Sequence, residues 1–212
     1  MHFVLVHGWG FHAGIWRALL DQLPGAETSL VDLGFIDGGP EGMSGWPEDA
    51  IAVGHSLGVL WLLQCAGESE RRPFRGLVSM QGFDCFNCHI PRSRVAGMRR
   101  ELKRDANATL QAFWRASGTE AFAPADALNV ERLDEGLSWL MDWDARAARS
   151  ELGCPVLALA ARDDTVVPAA MSASIWGDDK IQWAQDGGHV LPLIHPEWCA
   201  RHVLDFAHAL PS

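Results

Sequence analysis

The pentapeptide Gly54-His55-Ser56-Leu57-Gly58 holds a serine between glycines at the spacing G-x-S-x-G. A serine hydroxyl is a weak nucleophile. To attack an acyl carbonyl it needs a general base, and the base needs an acid to fix its tautomer. The glycines have a steric reason, because a turn sharp enough to present Oγ leaves no room for side chains beside it. Among nine histidines, His189 is the base candidate: Gly187-Gly188-His189 follows the last apolar run, Lys180–Ala184, in a loop. His55 lies inside the pentapeptide, where its ring should point away from the Ser56 hydroxyl. His195 precedes Pro196 and reads as helping to start the last helix, while His2, His202 and His208 sit at a terminus or on a helix without a partner signal. For the acid, the run Val156–Ala160 leads into Ala161-Arg162-Asp163-Asp164, which leaves two adjacent aspartates in competition.

Positioning these groups requires a frame, and the chain alternates short apolar runs with helix-like stretches. Strands are expected at Phe3–Val6, Glu27–Asp32, Ala50–Gly54, Gly76–Met80, Val156–Ala160 and Lys180–Ala184. Most are continuous rather than alternating apolar runs, as in a parallel sheet buried on both faces. Helices are expected at Ile15–Leu23, at Leu57–Gly67, which is apolar on nearly all sides, and at Pro196–Leu210, with Pro in its first turn. The repetition predicts a doubly wound α/β sheet. Ser56 then stands in a strand–turn–helix setting, after Ala50–Val53 and before Leu57–Gly67. Between Asp32 and Ile51 the chain is short and rich in Gly34, Gly38, Gly39, Pro40, Gly42, Gly45 and Pro47, which predicts a loop or at most one turn. From Asp84 to Leu152 helical stretches dominate, at Ser93–Arg104, Ala106–Ala116 and Val130–Ser150.

Composition narrows the partners. The 212 residues fit one domain with an insertion. A formal net charge of −10 argues against nucleic acid, whose phosphates require a basic surface. No apolar run approaches the roughly 20 residues of a membrane helix, so no membrane is expected as a partner. No basic region followed by a longer apolar stretch precedes Phe3, so no signal peptide is expected and a cytoplasmic location is. Five cysteines, an odd number, fit a reducing compartment better than a disulfide framework. Cys85-Phe86-Asn87-Cys88-His89 matches the haem-attachment spacing C-x-x-C-H, but that attachment requires export, and zinc would require two further ligands. Cys85 and Cys88 are therefore read as two thiols in a loop, and no metal or cofactor is expected.

With these motifs in place, the chain resembles the α/β-hydrolases over nearly its whole length. The resemblance implies a shortened α/β-hydrolase fold with about six mostly parallel strands, helices on both faces and a helical lid. Residues 1–83 and 153–212 would form the core and 84–152 the lid. The order Ser, Asp, His is that of the superfamily. Its acid loop commonly reads Gly-x-x-Asp-x-x-Val-Pro, so Pro168 selects Asp164, and Asp163 becomes an exposed neighbour or salt-bridge partner. His7-Gly8-Trp9-Gly10 follows the first strand, where the superfamily places half of its oxyanion hole. The donors implied are the backbone N–H groups of Trp9 and Leu57. A haloalkane dehalogenase would want Asp at position 56.

More narrowly, His-Gly-Trp-Gly, Gly-His-Ser-Leu-Gly, Asp-Thr-Val-Val-Pro and the stretch from Val95-Ala96-Gly97-Met98 to Leu110-Gln111-Ala112-Phe113 resemble the pimeloyl-acyl-carrier-protein methyl ester esterases of biotin synthesis. Two leading strands usual in that family are not seen, and its carrier-binding lid arginines are replaced by alanine around Ala108 and Ala112. Within Arg92–Arg104, however, six of the chain's 17 basic residues occupy thirteen positions. Either this is a solvated helix face, or Arg99, Arg100, Lys103 and Arg104 dock an acidic partner such as an acyl carrier protein. Phe113, Trp114, Trp139 and Trp143 lie on the same helices. Most of them should pack lid against body, with Trp9, Phe113 and Trp139 as the candidates to touch substrate. The reading is therefore a serine carboxylesterase acting on a small or carrier-linked acyl ester. Its alternatives are a general short-chain carboxylesterase or thioesterase, and a non-catalytic binding protein on a retained hydrolase fold.

Overall fold

The computed structural model describes residues 1–36, 42, 47, 49–68, 74–120, 122–123 and 125–211. Among the described residues six strands form one sheet: β1 (His2–Val6), β2 (Glu27–Val31), β3 (Ile51–His55), β4 (Gly76–Met80), β5 (Val156–Ala161) and β6 (Ile181–Ala184). Their order is β2-β1-β3-β4-β5-β6, and every neighbouring pair is parallel. The burial explains the sequence pattern. Every residue of β3 and β4 is buried, whereas the edge strands β2 and β6 expose some of theirs. Chain order reverses direction at β1, so the C-terminal ends of β1 and β3 border the crevice where open α/β sheets bind ligands.

The helices are α1 (Arg17–Leu20), α2 (Leu57–Gly67), α3 (Arg92–Arg104), α4 (Ala106–Ser117), α5 (Val130–Asp142), α6 (Arg146–Glu151), α7 (Ala169–Trp176), α8 (Leu191–Ile194) and α9 (Pro196–Ala209). α2 matches its expected span, and its first seven residues are buried. Two expectations are corrected. The helix expected at Ile15–Leu23 is a 3-10 turn, Ala13–Trp16, running into the single turn α1. Its tail tightens into i→i−3 bonds, Gln22 N–H to Leu19 O and Leu23 N–H to Leu20 O, each 3.0 Å. The helix expected at Val130–Ser150 is two. Trp143 leaves α5 in extended backbone, and Asp144 accepts the Arg146 N–H at 3.2 Å to restart the chain as α6. The loop expected around Gly38, Gly39, Pro40 and Gly45 lies outside the described residues. Among the described residues no helix is long and apolar enough to cross a membrane.

Helices α3 to α6 lie in the chain between β4 and β5. Local capping sets their ends: the Asp105 carboxylate accepts the Ala108 N–H at 2.9 Å to start α4, and Gly118, at φ 92°, stops it. Two buried tryptophans tie these helices to the loop after β1. Trp9 Nε1–H donates to Leu133 O of α5, and Trp114 Nε1–H of α4 donates to Gly10 O, both at 2.8 Å. Gly136 makes the approach possible, since a Cβ there would lie 2.8 Å from the Trp9 ring and 2.7 Å from Phe35.

Candidate active site

Ser56 begins where β3 turns into α2, with φ 52° and ψ −121°, a region non-glycine residues occupy only at a cost of about 1–3 kcal/mol. Its surroundings enforce the turn. A Cβ on Gly58 would sit 2.2 Å from Val6 O, and one on Gly54 would sit 2.7 Å from the Val59 backbone nitrogen. The Ser56 N–H donates to Met80 O at 3.0 Å, which pins the turn to the end of β4. The hydroxyl thereby stands at the C-terminal edge of the sheet.

His189 Nε2 lies 2.8 Å from Ser56 Oγ, and His189 Nδ1 lies 2.8 Å from Asp164 Oδ2. A carboxylate only accepts, so Nδ1 carries the proton and Nε2 is left to take the serine's. All three residues are buried. The other Asp164 oxygen accepts the N–H groups of Val166 and Val167, at 2.8 and 2.9 Å. Asp163 is exposed and accepts the Gly188 N–H at 3.0 Å, which braces the histidine loop from outside. The His189 N–H donates to Ser117 O at 2.8 Å, and its carbonyl accepts Nε2–H of His55 at 2.8 Å. The His55 ring is thus turned to the backbone of His189. Burial first, and the neighbouring His189 next, hold His55 well below the usual histidine range, so it stays neutral. His195 stands at the start of α9, but its ring does not cap that helix; Nε2 lies 2.8 Å from Asp186.

Gly8 lets the loop after β1 lie against this turn, because a Cβ there would be 2.9 Å from Ser56 Cβ. Leu57, the first residue of α2, has no intrahelical acceptor for its N–H. Trp9 and Leu57 join Ser56 in the wall of a cavity of about 270 Å³. The rest of that wall is mainly apolar, with Phe83 and Phe86 from the segment after β4, Phe113 from α4, and Leu137 and Leu140 from α5. Among the described residues Arg94 is its single charged side chain. The arrangement can accept a serine proton beside a mainly apolar cavity.

Residues 3–202 match the alpha/beta hydrolase family. The chain belongs to this family. It is 30% identical to the pimeloyl-[acyl-carrier protein] methyl ester esterase of Yersinia enterocolitica, across 96% of this chain and 92% of that protein. It is 29% identical to the enzyme of the same name from Pectobacterium carotovorum, across 97% and 94%. An esterase from Exiguobacterium antarcticum shares the fold, with a TM-score of 0.81 at 15% identity, covering 99% of this chain and 92% of that one.

Two expectations for this hydrolase, on Trp139 and on the paired cysteines, are corrected. Trp139 does not line the cavity. It stacks on Trp143 with ring centroids 4.8 Å apart, under the Arg132 guanidinium, while Leu137 and Leu140 take the cavity face of α5. Cys85 and Cys88 are not free thiols but a disulfide. With Asp144 they are the described group whose ligand atoms lie close enough for a metal, within 4.8 Å, but the disulfide occupies both sulfurs. The basic stretch is largely spent internally. Arg99 forms a two-pronged pair with Asp134 at 2.7 Å, Lys103 reaches the same carboxylate at 3.4 Å, and Arg104 pairs with Glu101. The Arg99 bonds hold Asp134 below the usual carboxylate range. Among the described residues Arg100 alone of the four makes no ion pair. One residue escaped the sequence reading. Gln81 is fully buried and bonded to Asp164, and its signal was a polar residue ending the apolar run Gly76–Met80 at the edge that carries Ser56.

Proposed function

We propose that the chain is a serine carboxylesterase. Ser56 Oγ attacks the ester carbonyl as its proton passes to His189 Nε2, and Asp164 steadies the imidazolium that forms. The N–H groups of Trp9 and Leu57 stabilise the oxyanion. His189 then returns the proton to the leaving alcohol, giving an acyl-serine. Water deprotonated by His189 releases the acid and restores the serine. The observation that carries this reading is the unbroken chain Ser56 Oγ–His189–Asp164, with both links at 2.8 Å, opening on an apolar cavity.

The substrate proposed is a methyl ester on a medium acyl chain, linked at its far end to an acyl carrier protein. The names of the two curated relatives support that choice. We further propose that residues 84–152 act as a lid over a core of residues 1–83 and 153–212, with Phe113 and Trp9 against the acyl chain. A second reading, a general short-chain carboxylesterase or thioesterase, is favoured by one feature: three of the four cations proposed to dock the carrier are engaged in internal ion pairs. The test is turnover of p-nitrophenyl esters of graded length, followed by a carrier-linked methyl ester set against the free dimethyl ester. Absence of turnover on all of them rejects the esterase reading. Equal kcat/KM on the linked and free methyl esters selects the second.

A further inference from the structure

Two non-glycine residues among those described hold positive φ, Ser56 at 52° and Gln81 at 55°. Gln81 follows β4 directly and is fully buried. Its backbone N–H donates to Leu159 O at 2.8 Å, extending the pairing of β4 with β5. Its carboxamide has one possible orientation. Leu191 N–H can only donate and lies 3.0 Å from the amide, so the atom facing it must be Oε1. Nε2 then faces Asp164 Oδ2, at 3.0 Å, and the carbonyl of Gly188. All the bonding capacity of the NH₂ group is used, and rotating the amide would leave buried groups unpaired.

We propose that Gln81 is a positioning residue for the Ser56–His189–Asp164 chain, clamping the acid and the histidine loop to each other. The inference rests on the esterase reading of that chain. Gly188 and Leu191 flank His189 on both sides, so a single amide sets where the imidazole stands relative to Asp164. The same amide also sets the charge it meets. Nε2–H and His189 Nδ1–H share Oδ2. Without the amide donor, Oδ2 keeps more negative charge, the protonated imidazole is better stabilised, and the base stays protonated to higher pH. Gln81 does not line the cavity, so acyl binding should be indifferent to it.

The experiment uses Gln81→Met, similar in length without polar atoms, and Gln81→Glu, of the same shape but with an oxygen where the donor stood. On p-nitrophenyl butyrate, kcat should fall about 10- to 100-fold with KM within about two-fold, as expected for misplacement of a reacting group. The acid limb of the kcat/KM–pH profile should move to higher pH in Gln81→Met. It should move further in Gln81→Glu, where a second carboxyl faces Oδ2. Reaction of a fluorophosphonate with Ser56 in the unaltered protein is measured alongside. An unchanged acid limb in both variants, with labelling and turnover intact in the parent, overturns the clamp and leaves the esterase reading standing. So does an effect confined to KM. No labelling and no turnover in the parent removes both. Should Gln81→Met fail to fold, the pH profile of Gln81→Glu carries the decision alone.

Discussion

On the sheet side of the cavity, Ser56, His189 and Asp164 stand on loops that follow β3, β6 and β5. Backbone contacts fix them: a glycine that no larger residue can replace beneath Val6 O, and an aspartate oxygen filled by two backbone N–H groups. On the helical side, Phe113, Leu137 and Leu140 reach the same cavity from α4 and α5. What holds them is packing of side chains, with tryptophan hydrogen bonds as anchors. The first kind of wall tolerates almost no change, because sub-ångström displacement breaks a 2.8 Å link. The second tolerates exchange of one apolar shape for another. On the reading proposed above, chemistry and choice of acyl group are carried by separable parts of the chain.

The largest effects should therefore come from the sheet side. Ser56→Ala, and separately His189→Ala, should lower ester kcat by about 10³-fold or more, with circular dichroism and Tm near the parent's. Full activity in either variant would detach the geometry from the reaction. Asp164→Asn should cost about 10²-fold or more, through loss of tautomer control and of imidazolium stabilisation. Asp163→Asn should cost only a few-fold, since its carboxylate meets a loop N–H and not the imidazole. The reverse order would place the acid one residue earlier.

A smaller effect is expected from the helical wall. Leu140→Ala enlarges the slot, so the ratio of kcat/KM for octanoyl over butyryl esters should rise about 5- to 10-fold, in line with the modest value of a few methylenes in an apolar pocket. A uniform fall on all chain lengths would mean that α5 supports the fold rather than selects the acyl group.

The same division governs what the sequence could reveal. Central strands buried on both faces must be continuous apolar runs, so β4 was legible residue for residue, and the glycines around Ser56 announced the turn. The residues alone left Asp163 and Asp164 in competition; it was the resemblance to the α/β-hydrolase acid loop, with Pro168 as its register, that pointed to Asp164. The helical wall was less legible, because α5 buries residues on more than one side. Leu137, Trp139 and Leu140 are all apolar, and only the rotation of the helix in the fold decides that the leucines face the cavity while Trp139 meets Trp143. Gln81 was hidden for another reason. A polar residue ending an apolar run is its one local mark, and its partners, Asp164, Gly188 and Leu191, are more than eighty residues away in the chain, where no local pattern reaches.

Stability should show a pH signature of its own. His55 is held neutral in the fold, with its protonation pushed below the usual value of about 6.5. The unfolded chain then binds more protons at that site as pH falls. The stability contribution is complete above about pH 6.5 and is lost progressively below it. Tm should therefore drop more between pH 7.5 and 5 in the parent than in His55→Gln, which has no titrating ring. Equal slopes would mean that other groups dominate the acid limb of stability.

The smallest effect concerns the basic face of α3, where the two functional readings part. Arg99 and Lys103 share the Asp134 carboxylate, so reversing either charge would disturb the packing of α3 on α5 as well as any partner. Arg100 is exposed and, among the described residues, pairs with no carboxylate, which makes it the clean probe. Were an acidic carrier to dock on this face, Arg100→Glu should raise KM for a carrier-linked ester a few-fold at low ionic strength. The difference should shrink towards 0.5 M salt, where the screening length falls to about 4 Å. Hydrolysis of p-nitrophenyl butyrate should not respond, because Arg100 lies outside the cavity wall and its charge has no neutral substrate to steer. A response from both substrates would make Arg100 a structural residue of the helical wall. A response from neither would leave α3 as a solvated face, and the general carboxylesterase would then account for the molecule with one assumption fewer.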